Sequence, residues 1–201
     1  MAKTFLKYQD FVDPQRIGKY QSITIFDVDD TLVVTKSQIR VIDTNTGEKF
    51  TLTPAEFNEF EKKSHHKMDF SDFQNLDILK AGNIIENIFS ILKKEMSRGG
   101  RVGIITARDD RDLIYQFLLH HGVVVNPNYI FAVNDPSLGF TGSVAEKKKQ
   151  AFIELIKMGF RDFTFYDDDP ENIRIAKQLD GEVEGINIKT KQVKVRWSKK
   201  G

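Results

Sequence analysis

Apolar positions along the chain alternate between short unbroken runs and stretches in which they recur every three or four residues, so strands and helices are predicted in turn. The run Ile23-Thr24-Ile25-Phe26 leads directly into Asp27-Val28-Asp29-Asp30-Thr31-Leu32. It reads as a strand buried on both faces that surfaces at its carboxyl end. Ile84, Ile85, Ile88, Phe89, Leu92 and Met96 lie at helical spacing and are stopped by Gly99-Gly100. A second buried strand is predicted over 102–106, then a helix through Leu113, Ile114, Phe117, Leu118 and His121 that Gly122 closes. A third strand over 129–133 precedes the capping box Ser143-Val144-Ala145-Glu146 and a helix running to Gly159. A fourth strand over 162–166 meets Asp169-Pro170-Glu171, an N-cap with proline in the first turn, and a helix through Leu179. A fifth strand over 184–188 and an edge strand over 192–197 complete the pattern. This alternation predicts a doubly wound α/β fold: a parallel sheet with right-handed crossovers and helices on both faces.

Residues 35–82 break the rhythm. Residues 38–43 and 48–52 flank Thr44-Asn45-Thr46-Gly47, a hairpin signal, and Thr53-Pro54-Ala55-Glu56 opens a helix bearing Phe57 and Phe60. A small α+β insertion is expected there, between a core made of 1–34 and 83–201. Residues 1–20 carry apolar side chains without a clean period and read as an arm packed on the core.

A chain of 201 residues can build one sizeable core and one small subdomain. Its 30 basic and 29 acidic residues set up no global field for nucleic acid or membrane, so a charged partner must be recognised locally. The absence of cysteine excludes disulfides, zinc-thiolate sites and thiol nucleophiles. No run has the length of a signal peptide core or a membrane span, and a cytoplasmic location is expected, with no obligate protein partner evident.

The chemistry must then come from oxygen and nitrogen groups. Asp27 and Asp29 stand at the carboxyl end of a strand, where open α/β sheets bind ligands. A tight turn would bring both to one site, as a nucleophile and a general acid and base for phosphoryl transfer. An apolar strand followed by Asp-x-Asp-x-Thr, ending here at Thr31, resembles motif I of the haloacid dehalogenase (HAD) superfamily, most of whose members are magnesium-dependent phosphatases. Three later stretches strengthen the resemblance. The strand ending Ile105-Thr106-Ala107-Arg108 is similar to motif II, in which the Thr106 hydroxyl donates to a phosphoryl oxygen. Arg108 offers a guanidinium fork matched to phosphate, or else a surface ion pair with Asp109, Asp110 or Asp112. Lys147-Lys148-Lys149 occupy the place of motif III. There the resemblance implies a lysine steadying nucleophile and phosphate, Lys148 with Lys147 in reserve, whereas a solvated face is the plainer reading.

Phe165-Tyr166-Asp167-Asp168-Asp169 looks like motif IV. The resemblance so implies catalytic Asp27, Asp29, Thr106 and Lys148, substrate contacts from Arg108, Lys147 and Thr31, and metal ligands Asp27, Asp29, Asp167 and Asp168. At an effective dielectric near 20, two charges about 4 Å apart repel by roughly 4 kcal/mol, so such a site calls for a cation. All-oxygen ligands favour Mg²⁺.

The implied reaction is hydrolysis of a phosphomonoester through an aspartyl-phosphate on Asp27, with Asp29 starting protonated among acidic neighbours. The insertion lies where HAD proteins carry a C1 cap, although a decoration away from the site would read the same. His65-His66 within it are expected to be a solvated pair, since no third ligand is spaced to join them. The spacing of Arg108 and Lys148 from the other motifs is similar to polynucleotide 3'-phosphatases and phage-encoded HAD phosphatases. A small phosphorylated substrate, a nucleotide or a nucleic-acid 3' end is the implied partner. Lys189, Lys191, Lys194, Arg196, Lys199 and Lys200 around Trp197 could follow a phosphate backbone, but a charged edge strand is preferred. Two other classes share the residue types: a receiver-like phosphoryl-accepting signalling domain and an inactive scaffold that binds a phosphorylated ligand.

Overall fold

The computed structural model describes residues 6–7 and 21–195. Apart from residues 6–7, the expected amino-terminal arm lies outside the described residues, as do residues 196–201 of the basic carboxyl-terminal segment. β1 (Leu6–Lys7) is a two-residue strand, and β2 (Gln21–Phe26) enters the core. After the turn that carries Asp27 to Leu32 come β3 (Val33–Val34), β4 (Ile39–Asp43) and β5 (Lys49–Leu52). α1 (Pro54–Glu59) starts at the reciprocal capping box of Thr53 and Glu56. β6 (His66–Asp69), α2 (Leu76–Lys80) and β7 (Asn83–Ile84) lead back to the core.

From there the chain alternates through α3 (Glu86–Ser97), β8 (Val102–Thr106), α4 (Arg111–His120), β9 (Ile130–Ala132) and α5 (Val144–Lys157). It finishes with β10 (Phe160–Asp167), α6 (Pro170–Glu182), β11 (Val183–Glu184) and β12 (Asn187–Gln192).

Five of these strands form one all-parallel sheet in the order β12-β10-β2-β8-β9. The chain enters the sheet at its centre, builds outward through β8 and β9, then returns to the other side of β2 through β10 and β12. Neighbouring strands β2 and β10 are therefore followed by connections leading in opposite directions, and such a switch point opens a crevice at the carboxyl ends. Both sheet faces are covered, which explains the unbroken apolar runs. Phe26, Val102 and Ile104 pack with Phe89, Leu92, Ile114 and Phe117 of α3 and α4. Ile23, Ile25, Phe163 and Phe165 pack with Phe152, Leu155, Ile173 and Leu179 of α5 and α6.

The carboxyl-terminal strands differ from expectation. A single strand over 184–188 is replaced by β11, which pairs with β1, and β12, which forms the sheet edge. Gly185 between them has φ +92°, a left-handed kink that cannot continue a strand. No strand follows Gln192 through residue 195, and the rest of the expected edge strand lies outside the described residues. Lys189 and Lys191 are exposed on β12, so the charge does sit on an edge of the sheet.

The 35–82 segment contains a three-stranded antiparallel sheet, β5-β4-β6, in which β6 adds a third strand to the expected hairpin. β3 and β7 pair antiparallel where the segment leaves and rejoins the core. Gly82 is required at that junction, because a Cβ there would meet Val33 Cγ2 at 2.6 Å and Val34 O at 3.0 Å. His65 and His66 are not on a helix, and a third polar group does join them: Asp43 Oδ2 lies 3.5 Å from His65 Nε2 and 3.9 Å from His66 Nε2. His66 Nδ1 accepts from the Lys63 N–H (3.1 Å), which leaves the proton of the neutral ring on Nε2, facing Asp43. Asp43, His65 and His66 so bring three ligand-type atoms within 4.8 Å of one another, where a solvated histidine pair was expected.

Candidate functional site

The sheet register assembles the site. Phe26 lies opposite Tyr166, so the next residues, Asp27 and Asp167, emerge side by side at the switch point, and the Asp27 N–H donates to Tyr166 O (2.9 Å). Beyond Asp27 the chain turns sharply, with Thr31, Leu32 and Val33 N–H groups all directed to Val28 O. Asp30 takes the left-handed conformation (φ +57°), which a short polar side chain tolerates better than most. The turn brings Asp27 and Asp29 to the wall of one cavity of about 350 Å³.

Asp27, Asp167 and Asp168 each offer a carboxylate oxygen, all within 4.8 Å of one another. The residue that joins them is Lys148 of α5, 1% exposed, whose ammonium donates to Asp27 Oδ1 (2.9 Å) and Asp167 Oδ2 (2.6 Å). Of the three consecutive lysines, Lys148 alone points inward. Lys147 donates instead to Asn134 Oδ1 (2.9 Å), a residue of the cavity wall that is tied by its own Nδ2 to Ala107 O. Lys147 therefore stands behind the wall, away from the carboxylates.

Asp29 is not part of the carboxylate cluster. Both its oxygens accept from Arg108, from Nε (2.9 Å) and Nη2 (2.8 Å), in a two-toothed fork. Its immediate partner is a cation, where acidic neighbours were expected. Arg108, 3% exposed, makes no surface ion pair with Asp109, Asp110 or Asp112. Its Nη1 donates to Phe73 O (2.6 Å) and its guanidinium lies 5.0 Å from the centre of the Phe73 ring. Beside it, Gln74 Nε2 donates to Asp109 Oδ2 (2.9 Å). These contacts hold the 35–82 segment against the core directly over the carboxylates.

Thr106 is fully buried, and its Oγ1 accepts from the Arg108 N–H (3.4 Å) without lining the cavity. Thr31 is also fully buried and outside the cavity wall, its hydroxyl without a partner among the described residues. Asn172, on the first turn of α6, had no role from the sequence. Its Nδ2 donates to both Asp167 oxygens (3.1 and 3.2 Å), and the Asp169 N–H donates to Asp167 Oδ1 (2.9 Å), so Asp167 is held in one orientation. Asn172 Oδ1 is buried on the cavity wall and has no partner among the described residues. An asparagine three residues beyond an N-cap aspartate is a common helix start, which hid it.

Crowded carboxylates resist ionisation. Burial pushes the Asp27 carboxyl well above its usual value, with Asp167, Asp168 and Asp29 adding to the effect and Lys148 opposing it. Asp168 is raised to about 7 by burial and then by Asp167. Asp30 is raised to about 6 by burial and by Asp29. For Lys148 burial alone would lower the pKa, but Asp167 and Asp27 outweigh it and the ammonium is kept charged. One ammonium among Asp27, Asp167 and Asp168 leaves an excess of negative charge. The donors are all oxygen, one of them the orphaned Asn172 amide oxygen, and this set fits a hard divalent cation such as Mg²⁺. Asp27, Asp167 and Asp168 could hold it; the side chain of Asp29, turned to Arg108, could not without releasing that fork.

A stability effect follows from these shifts. Between the ordinary carboxyl value of 3.8 and about 7, the folded protein holds a proton on Asp168 that the unfolded chain has lost. Stability of the metal-free protein should thus fall as pH rises across that interval, by on the order of a few kcal/mol. Thermal melts from pH 5 to pH 8 in chelator should show a declining midpoint, and Mg²⁺ should flatten the decline. A midpoint that rises over this range would contradict the crowding.

Among the described residues no helix is long and apolar enough to cross a membrane. In comparisons with known proteins, the chain matches no model of a protein family and no curated protein.

Proposed function

We propose that the protein is a HAD-type phosphatase that hydrolyses a phosphomonoester through an aspartyl-phosphate on Asp27. One observation carries the reading: Asp27, Asp167 and Asp168 converge with a buried lysine at the switch point of a parallel sheet, beneath a cover supplied by the 35–82 segment. A structural ion pair would need no cavity above it, and three clustered carboxylates make poor stability elements.

In this reading Mg²⁺, held by Asp27, Asp167 and Asp168, supplies positive charge against the phosphoryl oxygens. An Asp27 oxygen attacks phosphorus in line, and the ester P–O bond breaks. Once Arg108 has let go, Asp29 takes up a proton from solvent and gives it to the leaving oxygen; it then takes one from the water that attacks the aspartyl-phosphate, so inorganic phosphate leaves, and that proton returns to solvent as the fork re-forms. Since Arg108 occupies both Asp29 oxygens, the fork must part before Asp29 can act, which frees the guanidinium for the phosphoryl group. Lys148 keeps Asp27 oriented and neutralises charge on the phosphoryl oxygens as it develops. The 35–82 segment acts as a cap that excludes bulk water.

Incubation with p-nitrophenyl phosphate and Mg²⁺ tests this. Many turnovers per protein molecule are expected, lost on chelation. A single stoichiometric burst would indicate a phosphoryl-accepting domain instead, and no release at any Mg²⁺ concentration would indicate a binding scaffold.

A further inference from the structure

The floor of the cavity is rich in carboxylates, and its roof, Asn58 apart, is apolar. Phe57, Phe70, Phe73, Ile39 and Pro54, all from the 35–82 segment, face the aspartates across the same space. Phe57 and Phe70 meet edge to face, ring centres 5.5 Å apart, and Phe70 stands 6.4 Å from Phe73. Phe70 remains 43% exposed although it lines a cavity, so part of its ring has no protein partner in the closed arrangement. Phenylalanine rings concentrated over a charged centre do nothing for a phosphoryl group, which prefers donors and cations. They suit what the phosphate is attached to.

Charge limits the attached group further. Asp27, Asp29, Asp30, Asp109, Asp168 and Asp169 line the cavity, and its two cations, Arg108 and Lys148, are both taken by aspartates. A second groove of about 540 Å³, which shares Asp109 with the cavity wall, carries Asp110, Asp112 and Asp135 against the single cation Arg111. Arg111 in turn lies 3.5 Å from Asp112. A chain of phosphates leaving the site by this route would meet carboxylates, not the lysines and arginines that track a nucleic-acid backbone. About 350 Å³ is also near the lower bound for small-molecule sites, roughly enough for a phosphate and one ring system.

Building on the phosphatase reading, we infer that the substrate is a compact monoester with a single phosphate and a planar apolar leaving group seated against Phe57, Phe70 and Phe73. A sugar phosphate, hydroxylated on both faces, and a polynucleotide 3' end are both disfavoured.

Calorimetric titration of the full chain with Mg²⁺ and non-hydrolysable phosphonates separates this inference from the activity itself. Phenylphosphonate should bind about tenfold more tightly than methylphosphonate, the scale of one favourable aromatic contact. Phe70→Ala should bring the two affinities together while leaving methylphosphonate unchanged. Phe70 is already half open to solvent, so its truncation spares the fold; Phe57→Leu, which keeps volume but removes the ring, is the second variant. Equal affinities in the unsubstituted protein, binding of neither phosphonate, or tighter binding of a tetranucleotide ending in a 3'-phosphorothioate would each overturn the inference. Aryl preference without turnover of any phosphomonoester would leave the pocket assignment standing and remove the enzyme.

Discussion

Asp27→Asn is expected to reduce turnover of p-nitrophenyl phosphate by at least about 10⁴-fold, since the attacking oxygen is replaced by an amide with no comparable nucleophilicity. The fold should survive. Asparagine has nearly the same shape, its oxygen can still accept from Lys148, and the substitution removes the buried carboxyl whose ionisation burial, Asp167, Asp168 and Asp29 all oppose. The metal-free variant should therefore melt at or above the temperature of the unsubstituted protein at pH 8, while binding Mg²⁺ more weakly. Turnover and melting measured on one preparation distinguish this outcome from general damage. Retained turnover would place the nucleophile elsewhere.

Lys148→Ala carries the second large effect, and here stability and activity should fall together. The ammonium is buried between Asp27 and Asp167, and its removal leaves two buried carboxylates facing each other with nothing between them. Breaking a buried pair by deleting one partner costs about 3–5 kcal/mol. Denaturant titration in chelator should show that loss. Mg²⁺ at about 100 times its dissociation constant should restore roughly 2.7 kcal/mol of it, as for any ligand that binds only the folded state. Turnover should stay low even then, because the ammonium that orients Asp27 is gone. Lys147→Ala is the internal control. Its ammonium meets only the exposed-side amide of Asn134, and a change within about 0.5 kcal/mol is expected there. Lys148→Ala as stable as the parent would mean that the three carboxylates do not share one charged neighbourhood.

The two lysines mark where reading the chain stops. That a lysine of the triplet 147–149 belongs to the site could be argued from its place after the third strand, but adjacent residues on a helix point about 100° apart. Which of them faces inward depends on how α5 is rotated against the sheet. Asp29 shows the same limit in another form. Its neighbour in sequence is an acid, its neighbour in space is Arg108, and the bond between them spans 79 positions. The roof phenylalanines were visible as apolar residues of an inserted segment, but nothing in their spacing told that 57, 70 and 73 face the cavity. The fifth strand, expected over 184–188, is divided because Gly185 at φ +92° breaks the extended backbone between β11 and β12.

Strand and helix alternation, the parallel sheet and the position of the insertion were determined by the chain itself, because two-faced burial forces continuous apolar strands and capping groups must sit beside the helices they start. So was the acidic character of the strand ends. Tertiary structure alone decided the pairings: Lys148 between Asp27 and Asp167, Arg108 on Asp29 and beneath Phe73, Asn172 behind Asp167. Those contacts join residues far apart in the chain, and their geometry follows from strand order and helix rotation, which no local pattern encodes.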